Sequence, residues 1–451
     1  MNQEQKLAAN SLSIGESIVM GLAGSAPAFS LAAATTSLVG AVGVLAPASV
    51  LYCGFIMFGI TLAFIHLNRI KVNAGAAYAW VREIFGVSMG FFAGWALLVA
   101  SALFMVAGSI PAATATLLLI APRWVNTMPV VTTVAALWVS LIAVVTCKGI
   151  KPASYLQFLM TGVEVLILIA IIISGLWQLH THSLHDFSWS WFNLGNFSFR
   201  TFTNGALVSI FLYWGWDVTL NLNEETKKAM HTPGWGAFWS VLLIIALLVS
   251  FVVTALVVLS DAEIMKAGTN IIFVIAEKLF PKPWSYLAIL CVMLSTIGTL
   301  ETSMLQFTRT LFAKGRDGVL HPRYAQLHST RNTPWVATLV IWLFGLLLLL
   351  FSSFSFTVYT LMNDFVNAVS FQVAFYYSLT GFACAWHYQK TWTLLSELLI
   401  YVVWPIFSAI FLVFIALYSI PSFDLPTIVI GIGGIVIGFI PFLLGKKRNH
   451  H

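Results

Sequence analysis

Four carboxylates lie inside long apolar stretches of this chain: Glu164, Asp217, Glu301 and Asp364. An ionised carboxylate at the centre of a bilayer costs about 2.5 kcal/mol or more, so each should be protonated, paired or facing a cavity. A carboxyl group held in this way can exchange protons or balance the charge of a cationic ligand. The alternative is structural, with each acid satisfying serine, threonine, asparagine or backbone partners without titrating.

A second chemical feature is an interrupted helix in the segment 209–226, which reads SIFLYWGWDVTLNLNEET. It begins as an apolar helix, and then a glycine, an aspartate and two asparagines follow inside a span-length segment. Irregular backbone at membrane depth is tolerated only where it faces protein or a water-filled cavity, so we predict a break at residues 213–216. Such a break exposes carbonyl and amide groups that can bind a ligand.

The first apolar segment carries a matching interruption at residues 21–28, Gly-Leu-Ala-Gly-Ser-Ala-Pro-Ala. Pro27 has no N–H group and clashes with a preceding carbonyl. The two interruptions lie in corresponding places of two halves of the chain, and this pattern points to the substrate site of a secondary transporter. We expect the N–H groups of Gly24, Ser25 and Ala26 to suit an anion and the carbonyls of residues 211–214 to suit an ammonium group.

The elements that must position these groups are transmembrane helices. The chain is 59% hydrophobic and 8% charged, against roughly half and a quarter in soluble proteins. Apolar runs of helical length recur throughout, which disfavours a β-barrel. We predict an all-α membrane protein with twelve spans, at 14–38, 46–67, 88–120, 129–147, 155–178, 203–223, 237–260, 284–312, 335–352, 356–386, 393–418 and 424–445.

The distribution of basic residues predicts the orientation. If both termini are cytoplasmic, seventeen of the 22 Lys and Arg residues fall inside, as the positive-inside rule requires. The five outside are Arg123, Arg200, Lys266, Lys278 and Lys282. The net charge of +6 therefore reports topology, and we expect no nucleic-acid partner. The N-terminal residues lack the pattern of a cleavable signal, so the first span should remain as a transmembrane helix.

Other chemistry is not indicated. The four cysteines lie in or beside apolar spans without CxxC spacing, as small core residues do. His180 and His182 form a His-x-His pair in a predicted outer loop, but exposed histidines beside interfacial tryptophans are common, and we expect no metal site. No phosphate-binding loop or nucleophile motif is present, so transport would be driven by a gradient or by exchange, or not driven at all.

Four motifs, in this order and at these membrane positions, resemble those of the amino acid/polyamine/organocation (APC) transporter superfamily. They are the Gly24-Ser25-Ala26 interruption, the segment 75–78 (Gly-Ala-Ala-Tyr) that leads to Phe85-Gly86, the segment 213–217 with 223–225, and the segment 313–318 (Ala-Lys-Gly-Arg-Asp-Gly). The resemblance covers nearly the whole chain. It implies a LeuT-like five-plus-five inverted repeat with discontinuous helices 1 and 6. The repeats would be residues 1–178 and 179–386, with two accessory helices and a cytoplasmic tail in 387–451.

The resemblance also implies roles for individual residues. Unwound backbone in helices 1 and 6 would bind the carboxylate and amine of an amino acid, while helices 3, 8 and 10 would shape the side-chain pocket. Phe211 falls where arginine/agmatine exchangers carry an aromatic gate. Glu301 falls close to the position where those exchangers place an aromatic residue against the substrate, so an acid here could contact a distal amine. Asp217 aligns with an acid implicated in pH sensing. Glu164 stands where many proton-coupled relatives have a lysine, which leaves Glu164 as a candidate proton carrier.

We therefore predict an inner-membrane amino acid or amine permease, not an enzyme. The predicted substrate-binding residues are Gly24, Ser25, Ala26, Phe211, Tyr213, Trp214, Gly215, Trp216 and Glu301, with proton coupling at Glu164 and Asp217. No cofactor is expected beyond a proton gradient or a counter-substrate. The partners are a small amino acid or amine, with a cationic or aromatic one favoured, and the lipid bilayer, and the protein would be a monomer or homodimer.

Three alternatives remain open at this point. One is an antiporter that exchanges an amino acid for its decarboxylated amine or for a polyamine. Another is an ion channel, which needs rings of charge or repeated filter carbonyls. The third is a membrane-embedded enzyme, although no acid and histidine cluster has the spacing of a known catalytic motif.

Overall fold

A computed structural model describes residues 6–178, 183–353 and 358–448 of the chain. His180 and His182 of the predicted outer loop lie outside the described residues. Within these ranges the elements are helical, apart from one isolated β-bridge between Leu12 and Thr226.

Twenty α-helices follow one another along the described chain. The first ten are α1 (Ile14–Ser25), α2 (Pro27–Val42), α3 (Ala46–Ile70), α4 (Ala77–Phe85), α5 (Val87–Ala107), α6 (Ser109–Ile120), α7 (Met128–Lys148), α8 (Ile150–Trp177), α9 (Phe199–Leu212) and α10 (Val218–Asn221). The remaining ten are α11 (Thr232–Val258), α12 (Asp261–Ala267), α13 (Ile271–Leu279), α14 (Leu287–Arg316), α15 (Trp335–Ser352), α16 (Val358–Tyr388), α17 (Leu395–Leu398), α18 (Trp404–Ser419), α19 (Leu425–Val436) and α20 (Phe439–Arg448). A π-helical turn, Leu399–Val403, joins α17 to α18.

Nine helical stretches among the described residues are long and apolar enough to cross a membrane. The first, Ile14–Ile70, contains two of the predicted spans. The predicted sixth span is divided into α9 and α10, and neither piece has the length of a crossing. The chain is therefore a multi-pass helical membrane protein, and the number twelve stays a prediction.

The first predicted interruption is present. Ser13 caps α1, and its hydroxyl and the Glu16 carboxylate form a reciprocal capping box. The helix ends at Ser25, because Ala26 adopts a left-handed conformation with φ of 45°. Pro27 then occupies the first turn of α2, where its missing N–H group costs nothing. The break therefore lies between two helical halves of one crossing.

The second predicted interruption is also present and is wider than the first. α9 ends at Leu212, and α10 begins only at Val218. Gly215 has φ of +104°, a conformation that a residue with a Cβ atom rarely adopts. A single turn of helix, α10, follows before the chain leaves the core.

One end of the bundle gathers basic side chains, and we call it the basic end. It carries Lys71, Arg82, Lys151 and Arg316, at the ends of α3, α4 and α14 and at the start of α8. Lys151 pairs with Glu16 at 2.8 Å, and Arg316 binds both carboxylate oxygens of Glu224. Arg82 pairs with Asp317, and Lys71 pairs with Glu83. The Lys71 pair holds the pKa of Glu83 below its usual range.

The basic end is closed by a second set of contacts, the latch, formed by Ser11, Leu12, Glu225, Lys227 and Arg309. The amides of Ser11 and Leu12 donate to the Glu225 carbonyl at 2.7 and 3.0 Å, and the Lys227 amide donates to the Leu12 carbonyl at 2.8 Å. Arg309 donates two hydrogen bonds of 2.9 Å to the Glu225 carboxylate, and both side chains are fully buried. The latch joins the segment before α1, the segment after α10, and α14.

Candidate functional site

The two interruptions meet in the middle of the bundle, at Gly24 and Gly215. A Cβ atom on Gly24 would lie 2.1 Å from the Gly215 carbonyl oxygen, and one on Gly215 would lie 2.1 Å from the Gly24 carbonyl oxygen. Only two glycines allow the backbones of α1 and of the α9–α10 connection to approach this closely. The candidate site is built around this contact.

The amides at the start of α2 are bound by side chains from α8 and α14. The Ala28 amide donates to Glu164 Oε1 at 3.0 Å, and the Phe29 amide donates to Ser295 Oγ at 3.1 Å. The first amides of a helix have no partner within it, and they attract negative charge. Glu164 therefore occupies the anion-binding position of this half-helix in the conformation described here.

The amides of Gly24, Ser25 and Ala26 differ from those of Ala28 and Phe29. Gly24 and Ser25 belong to the last turn of α1, where carbonyl groups lack partners within the helix and amide groups do not. The Ala26 amide donates to the Ala23 carbonyl at 3.2 Å. The amides at the break that bind side chains are those of Ala28 and Phe29, and a substrate contact of Gly24, Ser25 and Ala26 stays a prediction.

Two hydroxyl groups lie beside the end of α1. Thr299 on α14 donates to the Ala23 carbonyl at 2.6 Å, which satisfies one of the carbonyls at the helix end. The Ser25 hydroxyl is buried and has no hydrogen-bond partner among the described residues. Because an unpaired buried hydroxyl is unfavourable, Ser25 is suited to bind a ligand.

Asp217 is held by tyrosines from α16. Tyr377 donates to Asp217 Oδ1 and Tyr376 donates to Asp217 Oδ2, both at 3.0 Å. The Trp214 indole donates to the Tyr376 hydroxyl at 3.0 Å. The carboxylate is fully buried, so this network joins the second break to α16.

The other two predicted aromatic residues of this segment have packing contacts. The Tyr213 hydroxyl donates to the Val50 carbonyl on α3 at 2.8 Å. The Trp216 ring packs edge-on against Phe64 and at a tilt against Tyr377, at centroid distances of 5.3 and 5.5 Å. Both side chains are fully buried, and both fix the break to neighbouring helices.

Four rings from three crossings form an aromatic layer: Phe29, Phe104, Phe211 and Trp214. Phe29 contacts Phe104 and Phe211 at centroid distances of 5.6 and 6.2 Å, and Phe104 contacts Trp214 at 5.5 Å. Each pair is close to edge-to-face, which is a favourable geometry for aromatic rings. The layer lies beside the two breaks.

A cavity of about 320 Å³ lies on the far side of the aromatic layer from the basic end. It is lined by Phe29 and Ala32 of α2, Thr114 of α6, Asn270 before α13, and Ala288 of α14. Phe29 belongs both to the lining of the cavity and to the aromatic layer. The cavity therefore borders the aromatic layer through Phe29.

Glu301 lies between α8 and α14. With the Gln157 amide oriented to suit its neighbours, its nitrogen lies 2.8 Å from Glu301 Oε2 and 3.3 Å from the Gly298 carbonyl, and its oxygen accepts from Thr161. Glu301 Oε1 has no hydrogen-bond partner among the described residues. Glu301 therefore contacts Gln157 of α8, and its contact with substrate stays a prediction.

Asp364, the fourth acid, is partly exposed and lies beside Asp424, which caps α19. This position favours a structural role.

Several residues that bind the predicted ones were not identified from the sequence. Tyr376 and Tyr377 hold Asp217, while Ser295 and Thr299 bind the first break. The two hydroxyls on α14 are four residues apart and so share one helical face. That spacing inside an apolar helix is a signal that could have identified them. The tyrosine pair has no such signal, because only the fold brings it to Asp217.

The sequence also matches known proteins. A family model described as amino acid permease matches residues 12–441. The chain is 25% identical to a serine/threonine exchanger, SteT, of Bacillus subtilis over 62% of each chain. It is 26% identical to the human large neutral amino acids transporter small subunit 2, over 88% of this chain and 73% of the relative.

A third relative is the human b(0,+)-type amino acid transporter 1, which is 23% identical over 73% of this chain and 65% of its own length. The matched part thus covers less than two thirds of the length of this relative and of the exchanger. All three are named as transporters or exchangers of amino acids.

Proposed function

Because the chain belongs to the amino acid permease family, we propose that it moves an amino acid or a related amine across the cytoplasmic membrane by alternating access. The family and the relatives are transporters rather than enzymes. The proposed cargo is small and zwitterionic or cationic. Its carboxylate and amine would bind to the backbone groups and hydroxyls at the two breaks.

The observation that carries this proposal is the contact between Gly24 and Gly215. Two crossings leave their peptide groups outside regular helix at the same place, in a region where free peptide groups are costly. The Ser25 hydroxyl, which has no hydrogen-bond partner among the described residues, lies at this contact, and Phe29 beyond the first break lines the cavity. This combination supports a ligand site between the breaks.

The proposed architecture is the five-plus-five inverted repeat, with α1 to α8 forming the first repeat and α9 to α16 the second. The two broken crossings begin the two repeats, which supports this division. In the proposed cycle, the broken crossings move against the remaining helices and open the site alternately to each side. The basic end would face the cytoplasm.

The aromatic layer supports a substrate with a large neutral or aromatic side chain. Phe29, Phe104, Phe211 and Trp214 offer ring faces and edges beside the breaks. A cationic substrate remains the second candidate, because Asp217, Glu164 and Glu301 are buried near the same helices. However, Asp217 and Glu164 already accept hydrogen bonds from the protein, which lowers their availability to a ligand.

Transport by the purified protein tests the proposal. The protein is reconstituted in liposomes, and uptake of radiolabelled amino acids and amines is measured with and without a pH gradient. We expect uptake that saturates and that unlabelled substrate inhibits. If no amino acid or amine is taken up or competes, the proposal is wrong, and single-channel currents in the same liposomes would favour an ion channel.

For the driving force, we propose proton symport, with exchange as the alternative. Exchange is the activity named for the B. subtilis relative, and an antiporter of an amino acid and its decarboxylated amine is one form of it. Glu164 is the proposed proton carrier, because it joins α8 to the first amide of α2 and so contacts a moving half-helix.

Replacing Glu164 by glutamine separates symport from exchange. Glutamine can still accept the Ala28 hydrogen bond, but it cannot carry a proton. In Glu164→Gln we expect the pH dependence of uptake to disappear, while counterflow exchange at equal pH continues. Unchanged pH dependence would exclude Glu164 from coupling.

A further inference from the structure

One face of α8 carries a polar residue at each turn: Ser154, Gln157, Thr161 and Glu164. All four side chains are at most 2% exposed. Their spacing of three or four residues places them on one side of the helix. The exposed positions of the same helix are mostly apolar, among them Phe158 and Leu166. The polar face is thus turned inward.

The inward face of α8 packs against polar groups of α14. Ser295 accepts from the Phe29 amide at 3.1 Å, next to the Ala28 amide that donates to Glu164. Further along, Gln157 joins Thr161 to Glu301 with hydrogen bonds of 2.9 and 2.8 Å. Gly298 leaves the room that Gln157 needs, since a Cβ atom there would lie 2.4 Å from the Gln157 side-chain amide. We call these six side chains the polar seam: Ser154, Gln157, Thr161, Glu164, Ser295 and Glu301.

The polar seam connects the first break to the basic end. At the break, Glu164 accepts the Ala28 amide. At the other end, Ser154 donates to Glu16 Oε1 at 3.1 Å, and Glu16 pairs with Lys151, whose side chain is 42% exposed. Gln157 lies seven residues before Glu164, which is about 10 Å along the helix axis towards the basic end. Gln157 and the Glu301 carboxyl group that it contacts therefore lie between Glu164 and the basic end.

Glu301 has few polar contacts for a carboxyl group in this position. It is fully buried, Gln157 donates to one oxygen, and the other has no partner among the described residues. An ionised carboxylate with a single donor is unfavourable in such surroundings. The conformation described here is consequently most compatible with a protonated Glu301.

The ionisable groups around the seam are limited to a few residues. Cys291 of α14 faces Glu164, and its thiol donates to the Glu164 carbonyl at 3.4 Å. From α2 the contact with Glu164 is the Ala28 amide, and from α8 the contact with Glu301 is the Gln157 amide. Glu16 and Lys151 are the charged groups at the basic end. Two acids thus share one buried face without a described cationic contact.

We propose that Glu301 is a second proton-carrying residue, which passes protons between Glu164 and the basic end along the polar seam. In the described conformation Glu301 holds a proton, and it first releases this proton towards the basic end. The ionised Glu301 carboxylate then takes up a proton that leaves a Glu164 carboxyl oxygen and passes along the seam beside the Thr161 hydroxyl, and Glu164 is left as a carboxylate that the Ala28 amide stabilises. Gln157 is a positioning residue that holds the Glu301 carboxyl group in the seam. The inference rests on the proposed function in its proton-coupled form.

Two activities measured in the same liposomes test the seam: counterflow of labelled substrate at equal pH, and substrate-dependent proton uptake reported by a trapped pH dye. The variants are Glu301→Gln, which keeps the size of the side chain, and Gln157→Met, which removes the amide that positions it. Glu277→Gln is the matched control, because it makes the same change on the partly exposed α13.

We expect the ratio of proton uptake to counterflow to fall about tenfold or more in Glu301→Gln, and less in Gln157→Met, as loss of a proton-transferring group does in general acid–base steps. The control should match the parent protein. A protonated-carboxyl infrared band of the parent should also be absent from Glu301→Gln, a readout that does not depend on transport.

Three results would overturn parts of this picture, and they differ from one another. If both seam variants keep the parent ratio, Glu301 is not a carrier. If the parent shows counterflow without proton uptake, the seam has no coupling role, but amino acid transport stands. If the parent shows no counterflow, the proposed function is wrong, and the proposed role of the seam in proton coupling is wrong as well.

Discussion

At the scale of single residues, the hydrogen atoms of Gly24 and Gly215 decide how closely the two broken crossings can approach. Each glycine meets the carbonyl oxygen of the other, so neither position has room for a methyl group. The polar residues near this contact act differently. Asp217 and Glu164 bind groups of other helices, and Ser25 is proposed to bind the ligand. The glycine contact thus shapes the candidate site, and the polar residues line it.

The glycine contact predicts the effect of Gly24→Ala. The added Cβ atom would lie 2.1 Å from the Gly215 carbonyl oxygen, and overpacking of this kind costs about 1–3 kcal/mol. We expect uptake to fall about tenfold or more, since about 1.4 kcal/mol corresponds to a factor of ten. Gly162→Ala on α8 is the control, because a Cβ atom there meets nothing within 4 Å. Equal uptake by the two variants would contradict the role of the contact.

The Asp217 network predicts the effect of Tyr377→Phe. The change removes the donor to Asp217 Oδ1 and keeps the ring, and loss of a hydrogen bond to a charged or buried group costs about 1–3 kcal/mol. We expect a lower unfolding temperature in detergent and reduced uptake. Tyr155→Phe is the control, because that side chain is 67% exposed. If both variants unfold at the same temperature, the network does not stabilise the second break.

At the scale of elements, two crossings are broken and the others supply their partners. Proline, glycine and aspartate within apolar runs predicted the breaks near residues 25 and 215, because these residues oppose regular helix locally. The lengths of the pieces were not predictable in the same way. The second break is followed by a single turn, α10, and the side-chain amides of Asn221 and Asn223 hold this segment by bonds to Ala74, Thr310, Asn68 and Asn73.

The polar contacts between helices also could not be predicted from the sequence. The prediction identified Glu164 and Asp217 as acids that needed partners, but it could not select Ser295 or Tyr377 among many polar residues. Long-range pairing depends on helix packing, whereas a break depends on neighbouring residues in the chain. For this reason the local part of the site was predicted and the tertiary part was not.

The ion pair of the latch predicts that a single mutation lowers the unfolding temperature more than the double mutation does. Arg309→Met leaves the buried Glu225 carboxylate unpaired, which costs about 3–5 kcal/mol, whereas replacing both partners by apolar residues is often neutral. We expect Arg309→Met to lower the unfolding temperature strongly and the double variant with Glu225→Met to recover much of the loss. Lys71→Met, which breaks an exposed pair, should have little effect. Additive losses in the double variant would contradict the coupling.

At the scale of the whole molecule, both the class and the family agree with the sequence prediction. Composition alone indicated a multi-pass helical membrane protein, and the motif order indicated an amino acid permease. Substrate identity did not follow, because backbone groups recognise features that every amino acid has. The inverted repeat and the orientation remain proposals for the same molecule.

Orientation can be tested with single cysteines. Lys266 on α12 and Lys390 after α16 are exposed at opposite ends of the bundle, and three of the four native cysteines are buried. A membrane-impermeant maleimide applied to intact cells should label Lys266→Cys, and it should label Lys390→Cys only after permeabilisation. The parent protein reports the background from Cys147. The reverse labelling pattern would invert the proposed topology.

The two ends of the proposed substrate path are closed by different forces. The latch is made of hydrogen bonds and an ion pair, while the aromatic layer is made of ring contacts. Contact between apolar surfaces weakens on cooling, whereas the backbone hydrogen bonds of the latch do not depend on that effect. For the proposed alternating access, we therefore expect chilled membranes to hold the carrier open on the side of the aromatic layer and closed at the latch.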